Sequence, residues 1–273
     1  MARKKKTAST GSSNPVLLLY WNDREALDQG TLDYWKEWLS PEEKIRLKKI
    51  DSELRQRDFL IGRALARSSL AVVLECEPGE VPLSTDGAAH ESGPLQLPEE
   101  LGLSLNLSHS NGEIVFAVGE GRRLGIDLEA PAIKQDYSKL VEKHFSADER
   151  NIIKELTSKQ DQEDAFRLLW TAKEACLKSL GGDAGANASN LQIQFDLKRS
   201  LLNAKETQSE WQRGIPLLPI SRARFIPTQQ RQENWWIYWV KLPTSWACVA
   251  LQPVSDADVP PPLMIENWGD GGN

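Results

Sequence analysis

Gly125-Ile126-Asp127-Leu128-Glu129 and Trp170-Thr171-Ala172-Lys173-Glu174-Ala175-Cys176-Leu177-Lys178 are the two stretches around which the chain is organised. The first reads as a strand. Residues two apart share one face of a strand, so Asp127 and Glu129 project together while Ile126 and Leu128 turn to the core. Two adjacent carboxylates repel, and the pattern calls for something positive between them. The second stretch reads as helix, with Phe166, Leu169, Trp170, Leu177 and Leu180 on one arc at the 3.6-residue period. Lys173 falls in the middle of that arc and Glu174 at its edge. A charge on a core-facing stripe is costly unless it is paired, so both are expected to face a polar site. Lys178 lies one turn beyond Glu174 on the same side. Three carboxylates and two ammonium groups thus converge. The acids suit a hard divalent cation such as Mg²⁺, which takes few carboxylates plus phosphate oxygens, and the lysines suit the phosphates.

Taken singly, each piece has a bland reading. An acid-x-acid strand is an ordinary solvated edge, and Glu-x-x-x-Lys on a helix is an ordinary surface pair worth tenths of a kcal/mol. A third element, Asn106-Leu107-Ser108-His109-Ser110, changes the weighing. In this order and spacing, Asn-x-Ser-His-Ser, Gly-Ile-Asp-x-Glu and Trp-x-x-Lys-Glu-Ala-x-x-Lys resemble the Sfp-type 4′-phosphopantetheinyl transferases of the holo-acyl-carrier-protein synthase superfamily. The similarity extends over roughly residues 16 to 252. It implies Mg²⁺-dependent transfer of 4′-phosphopantetheine from coenzyme A to a serine of an apo acyl or peptidyl carrier protein, with release of adenosine 3′,5′-bisphosphate. Asp127, Glu129 and Glu174 would then hold the metal, and Glu174 is the best candidate to take the serine proton, directly or through water, with Glu129 and a metal-bound water as the alternatives. Lys178 and Lys173 would lie on the pyrophosphate, and Ser108 and His109 at the adenosine diphosphate end of the coenzyme.

The rest of the composition is consistent with a soluble enzyme. At 273 residues the chain is long enough for one large domain or two small ones, and 40% hydrophobic with 26% charged residues is ordinary for a globular protein. No apolar run approaches the ~18 residues of a membrane helix. The basic start, Met1 to Lys6, runs into small polar residues and not an apolar segment, so no signal peptide is read and the cytoplasm is the expected location. Cys76, Cys176 and Cys248 are too scattered for a disulfide framework or a metal cluster. A net charge of −6 argues against a nucleic-acid binder, and any anionic ligand has to find a local basic patch. A monomer is expected.

Along the chain, residues 1–14 read as a disordered basic tail and Val16 to Trp21 as a buried strand. Ser40-Pro41-Glu42-Glu43 opens a helix carrying Lys44, Arg46, Lys48 and Lys49, and a longer helix from Glu53 to Leu74 adds Arg55, Arg57, Arg63 and Arg67. This is the basic patch that the overall charge lacks. A solvated helical face would look the same, but the resemblance implies coenzyme A phosphates here, with Lys44, Arg46 and Arg63 as the better candidates. Glu43 stands where some family members have a basic residue. Gly93-Pro94 stands where many have Gly-Lys-Pro, with the lysine on a phosphate, so that contact is either lost or supplied by another cation. Leu103–His109 and Glu113–Gly119 form a hairpin around Ser110-Asn111-Gly112.

The second half repeats the order of the first. Phe145-Ser146-Ala147-Asp148-Glu149-Arg150 matches Leu39-Ser40-Pro41-Glu42-Glu43-Lys44 in type at each place but the third, and Ala172-Lys173 onward echoes Gly62-Arg63 onward. The fold class is therefore read as α+β: two similar α/β halves in pseudo-twofold relation, residues 15–120 and 121–254, with the ligand between them and the acids only in the second. Trp235, Trp236, Trp239 and Trp246 are read as packing in preference to a base-stacking platform, and residues 255–273 as a flexible tail. Two rivals stand beside the transferase reading. One is a catalytically weak relative that binds coenzyme A or a carrier protein. The other is a magnesium-dependent phosphohydrolase, which leaves Asn106 to Ser110 unexplained.

Overall fold

The computed structural model describes residues 16–21, 27–85, 95–131, 137–181, 188–194, 221–225, 234–255 and 258–268. The basic tail and Gly93-Pro94 lie outside the described residues. In chain order the elements are β1 (Val16–Trp21), α1 (Gln29–Trp38), α2 (Pro41–Lys49), α3 (Glu53–Leu74), β2 (Ser84–Thr85), β3 (Leu95–Gln96), β4 (Leu103–Ser110), β5 (Glu113–Glu120) and β6 (Leu124–Glu129), then α4 (Ser138–His144), α5 (Ala147–Lys154), α6 (Lys159–Ser179), β7 (Leu191–Gln194), β8 (Ser221–Phe225), β9 (Asn234–Lys241), β10 (Trp246–Leu251) and β11 (Leu263–Asn267).

Strand alternation distributes these elements into four layers. In β5, Ile114, Phe116 and Val118 pack against α1 and α3, while Val115 and Ala117 face the second sheet. In β6, β9 and β10 one set of residues, including Ile126, Tyr238 and Val249, meets the first sheet. The alternate set, including Ile237, Trp239 and Cys248, meets α6. The order is thus helices, a sheet β11-β1-β5-β4, a sheet β6-β10-β9-β8-β7, and helices again. The largely antiparallel pairing and the mixed class agree with the α+β expectation.

One correction concerns the last segment of the chain. Residues 263–267, expected in a flexible tail, form β11, which pairs in parallel with β1 from Val16↔Leu263 to Tyr20↔Asn267. Leu263 and Ile265 are buried. The segment before it is fixed by the buried Arg122–Asp258 ion pair and by the Tyr238 hydroxyl donating to the Pro261 carbonyl at 2.6 Å. The Pro-rich composition hid a strand whose partner lies at the other end of the chain. The tryptophans are packing, as read: Trp235, Trp236, Trp239 and Trp246 are all buried.

The repeated sequence device appears as a repeated physical one. Ser40 and Ser146 each cap a helix in a capping box with the glutamate three residues on. Both glutamates are buried and reach a cation on the long helix that follows. Glu43 pairs with Arg63 at 2.8 Å and Arg67 at 2.7 Å, and Glu149 with Lys173 at 2.9 Å.

Candidate active site

The acids hang on β6 and α6, and one glycine sets how close these lie. A Cβ on Gly125 would sit 1.9 Å from the Ala175 carbonyl oxygen and 2.6 Å from the Ser179 backbone nitrogen, so α6 rests directly on the backbone of β6. Three buried indoles fix the helix from the other strands. Trp235 donates to Ser179 Oγ at 2.8 Å, Trp239 to the Leu168 carbonyl at 2.9 Å and Trp246 to Asp164 Oδ1 at 3.0 Å. On the other side β4 is tied to β6 through two serines of the Asn106–Ser110 motif. Ser110 Oγ accepts from the Ala130 N–H at 3.2 Å, and Ser108 Oγ donates to Asp127 Oδ1 at 3.2 Å.

Three motifs therefore meet at one point. Lys178 Nζ lies 2.6 Å from Asp127 Oδ1 and 3.1 Å from Ser108 Oγ. Burial pushes Asp127 above the ordinary carboxylate range by more than Lys178, Ser108 and the Leu128 N–H pull it down. Glu129 is pushed up to about 7, by burial first and then by the charge of Asp127, against the pull of Arg167 and Lys178. Burial and the charge of Asp127 raise Glu174 as well, with Lys178 opposing. Loss of water lowers the His109 imidazole below its usual value, opposed by the charge of Asp58 and helped by those of Lys178 and of Arg55 on α3.

Two predicted ligands of the phosphates are placed elsewhere. Lys173 is fully buried, and its three donors go to Glu149, the Ala188 carbonyl at 2.9 Å and the Leu191 carbonyl at 2.6 Å, so none is left for a ligand. The helical period showed a charge on the core face, but its partner comes from α5 and the segment before β7, which no local pattern reveals. Arg63 is also buried, paired with Glu43 and stacked 4.6 Å over the Phe59 ring. Burial lowers it to about 10, with Glu43 opposing. It is a structural cation, and the glutamate that looked out of place at position 43 is its partner. Arg46 lies over the same ring at 5.3 Å, and Lys44 is half-exposed, 3.8 Å from Glu37.

The donor chemistry at Asp127, Glu129 and Glu174 fits a hard divalent cation: three carboxylates, each raised, with one ammonium among them. Among the described residues, however, no three His, Cys, Asp or Glu side chains stand in a metal-holding arrangement. Here Asp127 is engaged by the Lys178 ammonium.

Sequence reasoning missed the structural part of the site. Gly125 stood in the quoted motif with no role, and the indoles were read as packing without their donors to α6. The signal for Gly125 was its position two residues before Asp127 on a strand facing a helix, where a missing Cβ marks close backbone approach.

Comparison with known proteins agrees with the geometry. Residues 123–218 match the family model of the 4′-phosphopantetheinyl transferase superfamily. The chain is 34% identical over 155 residues to the 4′-phosphopantetheinyl transferase HetI of Nostoc sp., a match covering 57% of this chain and 64% of that one. It is 28% identical over 181 residues to the L-aminoadipate-semialdehyde dehydrogenase-phosphopantetheinyl transferase of Schizosaccharomyces pombe, covering 62% and 69%. A third relative, the 4′-phosphopantetheinyl transferase AcpT of Escherichia coli, is 29% identical over 130 residues, covering 48% and 60%. The chain thus spans less than two thirds of the length of HetI and AcpT.

Proposed function

We propose that this chain, which carries the 4′-phosphopantetheinyl transferase superfamily domain in residues 123–218, transfers 4′-phosphopantetheine from coenzyme A to a serine of an apo acyl or peptidyl carrier protein. The observation that carries the reading is the meeting of Ser108, Asp127 and Lys178, one from each of three distant motifs, beside Glu129 and Glu174.

The serine oxygen attacks the phosphorus that bears the pantetheine. The bond from that phosphorus to the bridging oxygen breaks, and adenosine 3′,5′-bisphosphate leaves. Lys178 neutralises oxygens of the pyrophosphate as charge grows on them. Glu174 receives the serine proton, and burial together with the charge of Asp127 raises its affinity for it. Asp127, Glu129 and Glu174 would hold Mg²⁺, which when bound supplies positive charge at the pyrophosphate. His109 and Ser108 border the coenzyme, and Lys44 and Arg46 meet its phosphates. No covalent enzyme intermediate is needed. No helix among the described residues is long and apolar enough to cross a membrane, in keeping with diffusible partners.

Incubation of the protein with coenzyme A, Mg²⁺ and a panel of fatty-acid, polyketide and nonribosomal-peptide apo-carriers, followed by intact mass measurement, tests the reading. A carrier that gains the mass of one phosphopantetheine supports it. No gain on any carrier, with free phosphate released in its place, would establish a hydrolase.

A further inference from the structure

Asp127 Oδ1 already has two donors, Lys178 Nζ at 2.6 Å and Ser108 Oγ at 3.2 Å. The serine hydroxyl can serve both partners at once, because it accepts from Lys178 at 3.1 Å while donating to Asp127. Asp127 is 7% exposed, whereas a third of the Lys178 side chain reaches solvent. The carboxylate is therefore the fixed member of the pair. The ammonium, on a flexible four-carbon stem, is the one that can leave. A second cation approaching the same oxygen meets the repulsion of the first, and no preassembled set of three ligands competes with the lysine among the described residues.

From this arrangement we infer that Lys178 is an internal counter-cation, seated on Asp127 by Ser108, which a divalent cation has to displace and which the diphosphate of the coenzyme draws away. The inference rests on the proposed transferase reading. Its consequence is that metal and coenzyme favour one another. Diphosphate oxygens give the ammonium a new anionic partner and free Asp127, and by linkage the metal raises coenzyme affinity by the same factor. Free metal without coenzyme binds weakly, because the vacated form is only a small part of the population.

Calorimetric titration of Mn²⁺ into wild type and Lys178→Met, both without coenzyme, tests this. Methionine keeps the apolar stem and removes the charge. If the lysine is seated more than nine-tenths of the time, the variant binds Mn²⁺ at least about tenfold more tightly, and coenzyme A tightens Mn²⁺ binding in wild type more than in the variant. Equal or weaker Mn²⁺ binding by Lys178→Met overturns the inference. A measurement on the wild type guards against a variant that folds badly. With ¹⁵N-labelled lysine, the Lys178 ammonium resonance should stay in place when Mg²⁺ is added alone and move when Mg²⁺ and coenzyme A are added together. Full movement with Mg²⁺ alone, or none with both, overturns it. If a carrier gains mass while Lys178→Met binds Mn²⁺ no better, this inference fails and the transferase function stands. If Mn²⁺ binding tightens but no carrier gains mass, the function fails and the competition at Asp127 stands.

Discussion

Gly125→Ala adds one methyl group at the place where β6 and α6 touch. The new carbon would have to retreat from 1.9 Å to the 3.4 Å at which ordinary contact with the Ala175 oxygen begins, an opening of about 1.5 Å. The obstacles are backbone atoms of Ala175 and Ser179, which no rotamer change can remove. These residues directly follow Glu174 and Lys178, so the helix carries both functional side chains away from Asp127 as it yields. Its movement is resisted by the three indole hydrogen bonds at 2.8, 2.9 and 3.0 Å. Overpacking of this kind costs ~1–3 kcal/mol and occasionally more, and a displacement near 1 Å at a reacting centre costs about 10²-fold in rate. Urea unfolding followed by tryptophan fluorescence reads the first effect. The rate of carrier mass gain, corrected for folded fraction, reads the second. Gly62→Ala is the control, since its Cβ would meet only the flexible end of Leu107 at 2.9 Å. Wild-type unfolding midpoint and rate in Gly125→Ala would refute the close-contact argument.

Other expectations follow from the same contacts. Glu149→Ala leaves the fully buried Lys173 ammonium without its anion and should lower stability by about 3–5 kcal/mol; an unchanged urea midpoint would contradict the structural role of Lys173. Glu129, whose carboxyl rises from 4.5 to about 7 in the fold, binds more protons folded than unfolded between those values. Metal-free wild type should therefore lose stability relative to Glu129→Gln as pH rises through that window, and the opposite slope in paired melting curves would refute it. Glu174→Gln should lower kcat by ~10²–10⁴-fold at saturating metal and coenzyme, and full recovery with added Mg²⁺ would leave Glu174 a ligand only. Arg46→Ala should raise KM for coenzyme A more than KM for carrier; equal KM changes would assign Arg46 to another surface.

What could be read from the sequence was whatever is local or periodic. The helix start at Ser40, the hairpin turn at Asn111-Gly112 and the alternation through Asp127 and Glu129 depend on neighbours a few residues away, and all appear where expected. The convergence of Asp127 and Lys178 follows from strand alternation and the helical period, whereas the contact of Ser108 with both has no local sign in the sequence. The errors concern charges whose partners are distant. Lys173 and Arg63 read as ligands of phosphate because the carboxylates that satisfy them sit 24 and 20 residues earlier, on separate helices. β11 was missed for the same reason, since a strand added in parallel to the far end of the chain has no turn to announce it.

The place of that last strand also sets a timetable. β1 lies between β5 and β11, so one of its edges is satisfied early by β5, while the other waits for residues made about 240 positions later. From the end of β5 at Glu120 to the start of β11 at Leu263 the chain grows by about 143 residues, which takes roughly 7–29 s at ~5–20 residues per second on the ribosome. Throughout that interval the nascent first sheet presents an unpaired edge at β1, open to pairing with another chain. A ribosome that stalls late, or a chain cut short before residue 263, would release a protein with Asn106–Ser110, Asp127, Glu129, Glu174 and Lys178 all made and its first sheet still open at β1.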